Sequence, residues 1–307
     1  DKAFTDAAFK VDATYTTPSQ NSVAMEPHAS IAEWREGSLI LHGAYQMVAS
    51  DQQQLADALG IRADKVRIIS RYVGGGFGPK GTYYPEYANV SAAARLLGRP
   101  VKWIEERREN FLTTNQERDQ YWDVEVGFDD DGRLLGARGT MISDAGAYTY
   151  QGINLHYNAS TNFPGPYVLP HYKLNVSVVE TNKTPTAPVR GAGYPEGCFA
   201  MERVIDAIAR DRGLDRAEVR RRNLVPANAI PYATPMQARS TSAIVYESGN
   251  FPACLDLALT NADYSGFPVR REKARAEGLL LGFGIATGLK GTGRGPFESA
   301  IVDRKST

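Results

Sequence analysis

The sequence predicts an α+β fold, with mixed sheets and flanking helices. Three observations carry this reading. Apolar and polar residues alternate at 7–16 and 30–42, with a turn at Glu36-Gly37, before any strong helical pattern begins. A second alternating pair, 121–128 and 134–142, closes around Asp129-Asp130-Asp131-Gly132, a strong hairpin signal. Helical segments are interspersed among these hairpins instead of following every strand, so the order is that of α+β and not of a doubly wound sheet.

The elements follow in order. Residues 52–59 read as a short helix capped by Gly60, and 65–70 as a buried strand. Residues 86–98 read as a helix ending at Gly98, and 101–106 as a strand ending in acids. The stretch 151–170 is rich in Asn, Gly and Pro and reads as a long ordered loop of the kind that lines sites. A strand at 172–180 leads to a second glycine-rich segment. Residues 197–212 form an amphipathic helix through Phe199, Val204, Ile205 and Ile208, and Asp215 caps a short basic helix at 215–222. Helices at 252–261 and 269–276 and strands at 279–285 and from 300 complete the reading.

Bulk properties narrow the function. The chain has 307 residues, 42% hydrophobic and 23% charged, with a formal net charge of zero. That is globular composition with no basic excess, so neither nucleic acid nor an anionic membrane surface is an expected partner. No apolar run approaches the ~20 residues of a membrane span. Two cysteines, Cys198 and Cys254, sit in helical contexts and read as buried apolar thiols. An iron–sulfur cluster usually needs about four thiolates, so electrons from any redox chemistry must leave through another polypeptide. The four histidines form no ligand pattern. The start at Asp1 and the abrupt end read as those of a processed or excised piece.

The chemistry concentrates in Gly74-Gly75-Gly76-Phe77-Gly78-Pro79-Lys80-Gly81, between a strand and a helix. Glycines here let backbone N–H groups approach an anionic or oxo-bearing group closely. The phosphate-cradling P-loop is excluded, because Pro79 and Gly81 replace its second glycine and its hydroxyl residue. The dinucleotide fingerprint matches formally through Gly76, Gly78 and Gly81 and leaves a NAD-dependent dehydrogenase as the alternative. Pro79 and Pro85 weigh against it, since they push the helix start well past the glycines and away from a bound pyrophosphate.

A third reading accounts for more of the chain. The glycine loop, the Gly98-Arg99-Pro100-Val101-Lys102 segment and Arg190-Gly191-Ala192-Gly193-Tyr194-Pro195-Glu196-Gly197 together resemble the molybdenum-binding subunit of the xanthine oxidase and aldehyde oxidase (molybdenum hydroxylase) family. Ala44-Tyr45-Gln46, Met25-Glu26-Pro27-His28, Asp144-Ala145-Gly146-Ala147-Tyr148 and Arg220-Arg221-Arg222-Asn223-Leu224 fit the same family in the same order.

The resemblance implies a molybdopterin-binding subunit, or a fragment of one. Such a protein oxidises an aldehyde or an N-heteroaromatic with water as the oxygen source. The implied cofactor is molybdenum on molybdopterin, in its cytosine dinucleotide form. The pterin dithiolene holds the metal, so no direct protein ligand is expected. Cofactor contacts would come from Gln46, Gly75, Gly76, Phe77, Gly78, Arg190 and Gly191. Gln46 would donate to the metal's apical oxo group, and Phe77 and Gly78 would offer backbone N–H groups.

Substrate-pocket positions of the family correspond here to Gly81, Asn158, Ala192 and Thr287, none of which keeps the charges or phenylalanines of the purine-oxidising members. Gly191 stands where carbon-monoxide-oxidising members have cysteine, so neither xanthine nor carbon monoxide is an expected substrate. Tyr157, Phe163 and Tyr194 are candidate aromatic walls.

The family's general-base glutamate, in a Gly-Glu-Pro segment, and its Gly-Gln-Gly pterin segment are not in the sequence. The expected division is therefore residues 1–237 as a first molybdopterin-binding domain and 238–307 as a linker and the start of a second. Implied partners are the second half of the molybdenum subunit, an iron–sulfur subunit and a flavin (FAD) subunit, in the cytoplasm. A scaffold that binds only partner subunits is the non-enzymatic alternative.

Overall fold

Strand alternation and glycine helix stops explain most of the architecture. The computed structural model describes residues 1–149, 152–239 and 241–291. The chain opens with a short helix α1 (Lys2–Asp6) and strand β1 (Phe9–Thr17), followed by β2 (Ala29–Arg35) and β3 (Ser38–Gly43). Helix α2 (Val48–Leu59), β4 (Val66–Ile69), α3 (Pro85–Leu97), β5 (Val101–Ile104) and α4 (Arg107–Thr113) come next. The hairpin β6 (Gln120–Phe128) and β7 (Leu134–Gly146) is followed by α5 (Gly152–Asn162), β8 (Tyr172–Glu180), α6 (Tyr194–Arg212) and α7 (Arg216–Asn223). The hairpin β9 (Tyr232–Gln237) and β10 (Ala243–Tyr246) precedes α8 (Phe251–Asn261) and α9 (Phe267–Ala276).

Two four-stranded mixed sheets result. One has the order β1-β6-β7-β8 and the other β4-β3-β2-β5. Each has its own core. Trp122, Val124, Val126 and Met141 of the first sheet pack on Val204, Ile205 and Ile208 of α6. Leu39, Leu41 and Ala32 of the second pack on Leu55 of α2 and on Tyr87 and Val90 of α3.

Local signals explain the boundaries. Gly60, Gly98 and Gly213 end α2, α3 and α6 in the left-handed conformation, with φ of 64°, 60° and 63°. The Asp215 side chain accepts from the Ala217 and Glu218 N–H groups and starts α7. At the β6–β7 turn, Asp129 Oδ1 accepts from the Asp131 and Arg133 N–H groups at 3.0 and 2.8 Å.

Several expectations need correction. Residues 152–162 form a helix and not a loop. Their Asn, Ser and Thr content gives weak intrinsic helix propensity, but Leu155 and Ala159 are buried and tertiary packing decides. The Ser160 and Thr161 hydroxyls bond back to the Tyr157 carbonyl at 3.0 and 2.7 Å, so they do not compete for it from a non-helical turn. Residues 279–285 are not a strand, because no neighbouring strand pairs with them among the described residues. Phe283 instead packs against Tyr264 and Phe267. Cys254 is exposed and Cys198 half-buried, so they are not two core thiols. The strand expected from residue 300 lies outside the described residues. Gln237 of β9 pairs with Ala243 of β10, across the point between 237 and 238 where the sequence suggested a domain boundary. Among the described residues no helix is long and apolar enough to cross a membrane.

The topology also removes the structural basis of the dinucleotide-binding alternative. β4 and β5 stand at opposite edges of their sheet, with β3 and β2 between them. After the glycines comes a single 3₁₀ turn, Pro79–Gly81, and α3 begins only at Pro85. The helix that follows the glycines therefore starts past them and not at them, as a bound pyrophosphate would require.

Candidate functional site

Three chain segments, two from one sheet and one from the other, meet. Gln46 follows β3, the glycine loop 74–81 follows β4, and the segment 186–193 links β8 to α6. β3 and β4 are parallel neighbours, so their C-terminal ends lie side by side and bring Gln46 to the glycine loop. The Gln46 N–H donates to the Lys80 carbonyl at 2.9 Å, and the Gly78 N–H donates to Gln46 Oε1 at 2.9 Å.

The two glycine segments then cross. The Arg190 N–H donates to the Phe77 carbonyl at 2.7 Å, and the Arg190 guanidinium lies 5.7 Å from the Phe77 ring centroid. A side chain cannot fit at the crossing. A Cβ on Gly78 would lie 1.7 Å from the Pro188 carbonyl oxygen, and Gly78 has φ of 115°. A Cβ on Gly76 would lie 2.4 Å from Gln46 Oε1. Phe77 itself adopts φ of 56°, outside the usual range for a bulky residue. Such strain persists only where the surroundings over-determine it, here through Arg190 and Gln46.

Two sets of charged residues support the crossing, a role that the sequence alone assigns to neither. On one side, Glu26 Oε2 accepts from the Gly74 N–H at 2.6 Å and from Lys80 Nζ at 2.7 Å. Burial raises the Glu26 carboxyl, but these two donors outweigh it and hold it below the usual carboxylate range. Lys80 is 2% exposed and is paired with Glu26. On the other side, Glu117, Arg118 and Glu196 lie under the Val189–Gly193 segment, and Arg118 donates to the Arg190 carbonyl at 3.0 Å. Glu26 sits in a quoted motif and could have been found there. Glu117 and Arg118 precede a strand without any periodic signal.

The expected residues divide clearly. Gln46, Gly75, Gly76, Phe77, Gly78, Arg190 and Gly191 are brought together. Gly78 departs in one respect, because its N–H is already taken by Gln46 and is not on offer to a ligand. Of the pocket positions, Gly81 lies beside Gln46, and Asn158 Nδ2 donates to the Ala192 carbonyl at 2.8 Å. Thr287 is engaged elsewhere, with Tyr167, Glu202 and Cys198 behind α6. Of the candidate aromatic walls, Phe163 is fully buried between Trp122 and Tyr172, and the Tyr157 ring lies 4.4 Å from the Arg239 guanidinium. Asp144 and Asn223, also in quoted motifs, tie loops to strands: Asp144 accepts from Gly146 and Thr181, and Asn223 from Leu134. Among the described residues no cluster of His, Cys, Asp and Glu could hold a metal ion directly.

Comparison with known proteins identifies the family. Residues 1–224 match the family model described as a molybdopterin cofactor-binding domain. The chain is 32% identical over 306 residues to subunit gamma of the 6-hydroxypseudooxynicotine dehydrogenase complex of Paenarthrobacter nicotinovorans, covering 99% of this chain and 38% of that protein. It is 32% identical over 299 residues to the nicotine 6-hydroxylase large subunit of the same organism, covering 95% of this chain and 36% of that one. Quinoline 2-oxidoreductase from Pseudomonas putida 86 superimposes with a TM-score of 0.84 at 30% identity, covering 90% of this chain and 35% of that chain. The chain thus spans 35% to 38% of the length of these relatives. It belongs to the xanthine oxidase and aldehyde oxidase family of molybdenum hydroxylases, and its residues 1–224 match that family's molybdopterin cofactor-binding domain.

Proposed function

We propose that this chain supplies the first part of the cofactor cradle of a hydroxylase that oxidises an N-heteroaromatic compound or an aldehyde, working in the cytoplasm with an iron–sulfur and a flavin partner. The observation that carries this reading is the crossing of the two glycine segments, fixed by the Arg190-to-Phe77 hydrogen bond and closed to any side chain at Gly78.

The residues present fit the cofactor. The N–H groups of Gly76, Phe77 and Gly191 have no acceptor among the described residues. Successive N–H groups in alternating backbone conformations form a concavity suited to an oxygen-rich anion. Gly75 at φ of 104° and Phe77 at 56° give that alternation on either side of Gly76. The Gln46 oxygen is held by Gly78, so its Nε2 is the end left to donate outward. Arg190 is exposed beside it and adds positive charge. When bound, molybdopterin in its cytosine dinucleotide form supplies the two-electron redox chemistry that these side chains lack.

The chain's own contribution is positional. Gln46 and the free N–H groups orient the group, while Gly81, Asn158 and Ala192 leave the substrate side uncharged. A small heteroaromatic that needs no charged partner fits such a wall better than a purine. The proton-accepting glutamate is expected on the remainder of the subunit.

The test uses the assembled complex, nicotine- or quinoline-like heterocycles and aldehydes, and an artificial electron acceptor in isotopically labelled water. Label in the hydroxylated product supports the reading. Product without label, or no turnover on either substrate class, contradicts it.

A further inference from the structure

Under the second glycine segment lie two carboxylates that share one cation. Glu117 and Glu196 are each 1% exposed. Arg118 Nη1 lies 3.1 Å from an oxygen of each. The second oxygen of each acid, Oε1, has no hydrogen-bond partner. A single guanidinium between two buried carboxylates leaves one negative charge uncompensated, which the interior does not tolerate. One of the acids must therefore carry a proton.

The same three residues grip the loop. The Val189 N–H donates to Glu117 Oε2, and the Gly193 N–H also donates to the Glu117 carboxyl. Arg118 Nη2 donates to the Arg190 carbonyl at 3.0 Å. Glu196 lies in the first turn of α6, which starts where the loop ends. Arg118 and Asp119 adopt φ of 79° and 55°, a strained conformation for side-chain-bearing residues that turns the guanidinium under the loop.

We propose that Glu117, Arg118 and Glu196 form a buried clamp that positions the Val189–Gly193 loop for cofactor binding, and that the clamp holds one proton. This rests on the reading of that loop as part of the cofactor cradle. The proton belongs on Glu117. Burial and then the Glu196 charge push its carboxyl up to about 8, against Arg118 and the two loop N–H groups. Burial also raises Glu196, but Arg118 bonds to it directly. Glu117 and Arg118 are positioning residues, acting through the loop.

The sign of the pH effect follows. The folded clamp keeps a proton that the unfolded chain releases above its ordinary value of 4.5. Its stabilising contribution is complete below about 4.5, declines as pH rises, and is gone above about 8.

The experiment compares Glu117→Gln, Glu117→Ala and Arg118→Lys in the assembled complex, reading molybdenum content and Tm against pH. Glutamine mimics the protonated acid. E117Q is expected to retain wild-type molybdenum content, and the Tm difference between it and the wild type should change between about pH 4.5 and 8 and be level above. E117A should lose on the order of tenfold in molybdenum retention, the scale of removing an outer-shell partner. R118K keeps charge but not the fork and should lose retention severalfold, and it alone decides the case if E117A fails to fold.

E117Q behaving like E117A, a pH-independent Tm difference, or full retention in both E117A and R118K overturns the clamp. A wild-type complex without molybdenum overturns the cofactor reading instead, and the pH comparison still decides the clamp.

Discussion

Gln46 Oε1 accepts the Gly78 N–H at 2.9 Å and thereby joins the end of one strand to the glycine loop that follows its neighbour. This bond fixes which end of the carboxamide faces outward. It also holds Gly78 against the Pro188 carbonyl, so a single contact couples the two halves of the cradle.

Gln46 should act as a donor and not only as a brace. Glu at this position keeps an acceptor for the Gly78 N–H but has no outward N–H. The expected result for Gln46→Glu is wild-type stability with kcat lowered by ~10²–10³-fold, the scale of removing one preorganised donor. Unchanged kcat in Q46E would mean that the side chain only braces the loop.

Gly78→Ala should abolish cofactor retention, because its Cβ would meet the Pro188 carbonyl oxygen at 1.7 Å and the crossing would open. Gly98→Ala is the control. It also has positive φ, 60°, but nothing lies within 4 Å of its added Cβ. It should cost only the left-handed penalty of ~1–2 kcal/mol and leave molybdenum content intact. Comparable losses in both variants would show that backbone strain, and not the crossing, accounts for the effect.

Acid should loosen the β5–α4 corner. Burial raises the Glu105 carboxyl, but the His28 ring and backbone N–H and the Asn110 amide together outweigh it and bring it down to about 2. A lowered folded value means stability that is present above about 4.5 and is lost as pH falls towards 2. Glu105→Gln should flatten the loss of Tm across that acid range. An unchanged acid slope in E105Q rejects this assignment.

Much of the fold was legible because its signals are local. Gly60, Gly98 and Gly213 stop helices where the sequence says they should, and the Asp129 turn closes the expected hairpin. The glycine segments and Gln46 were legible as separate pieces. Their crossing was not, since nothing local in the sequence links Phe77 to Arg190. Helix α5 was hidden by its Asn, Ser and Thr content and is decided by Leu155 and Ala159 meeting the core. The Arg220-Arg221-Arg222 run reads only as part of a short basic helix, and nothing in it shows that Arg220 is fully buried between Glu202 and Asp206. Charge pairing across helices leaves no periodic trace.

The 307-residue chain on its own should show no turnover, even when supplied with cofactor. Loss of a proton-transfer group typically costs ~10²–10⁴-fold, and the two cysteines cannot hold an iron–sulfur relay. Co-expression with a chain carrying a Gly-Glu-Pro segment and with an iron–sulfur partner should restore activity. Steady oxidation of an aldehyde or N-heterocycle by the isolated chain would place the base within these residues.

The most direct measurement is the molybdenum and pterin content of the purified complex, wild type beside Gly78→Ala. The expected result is stoichiometric molybdenum and pterin in the wild type and neither in the variant. Absence of both from the wild type, or equal amounts in the variant, contradicts the assignment of the crossed glycine segments as the cofactor cradle.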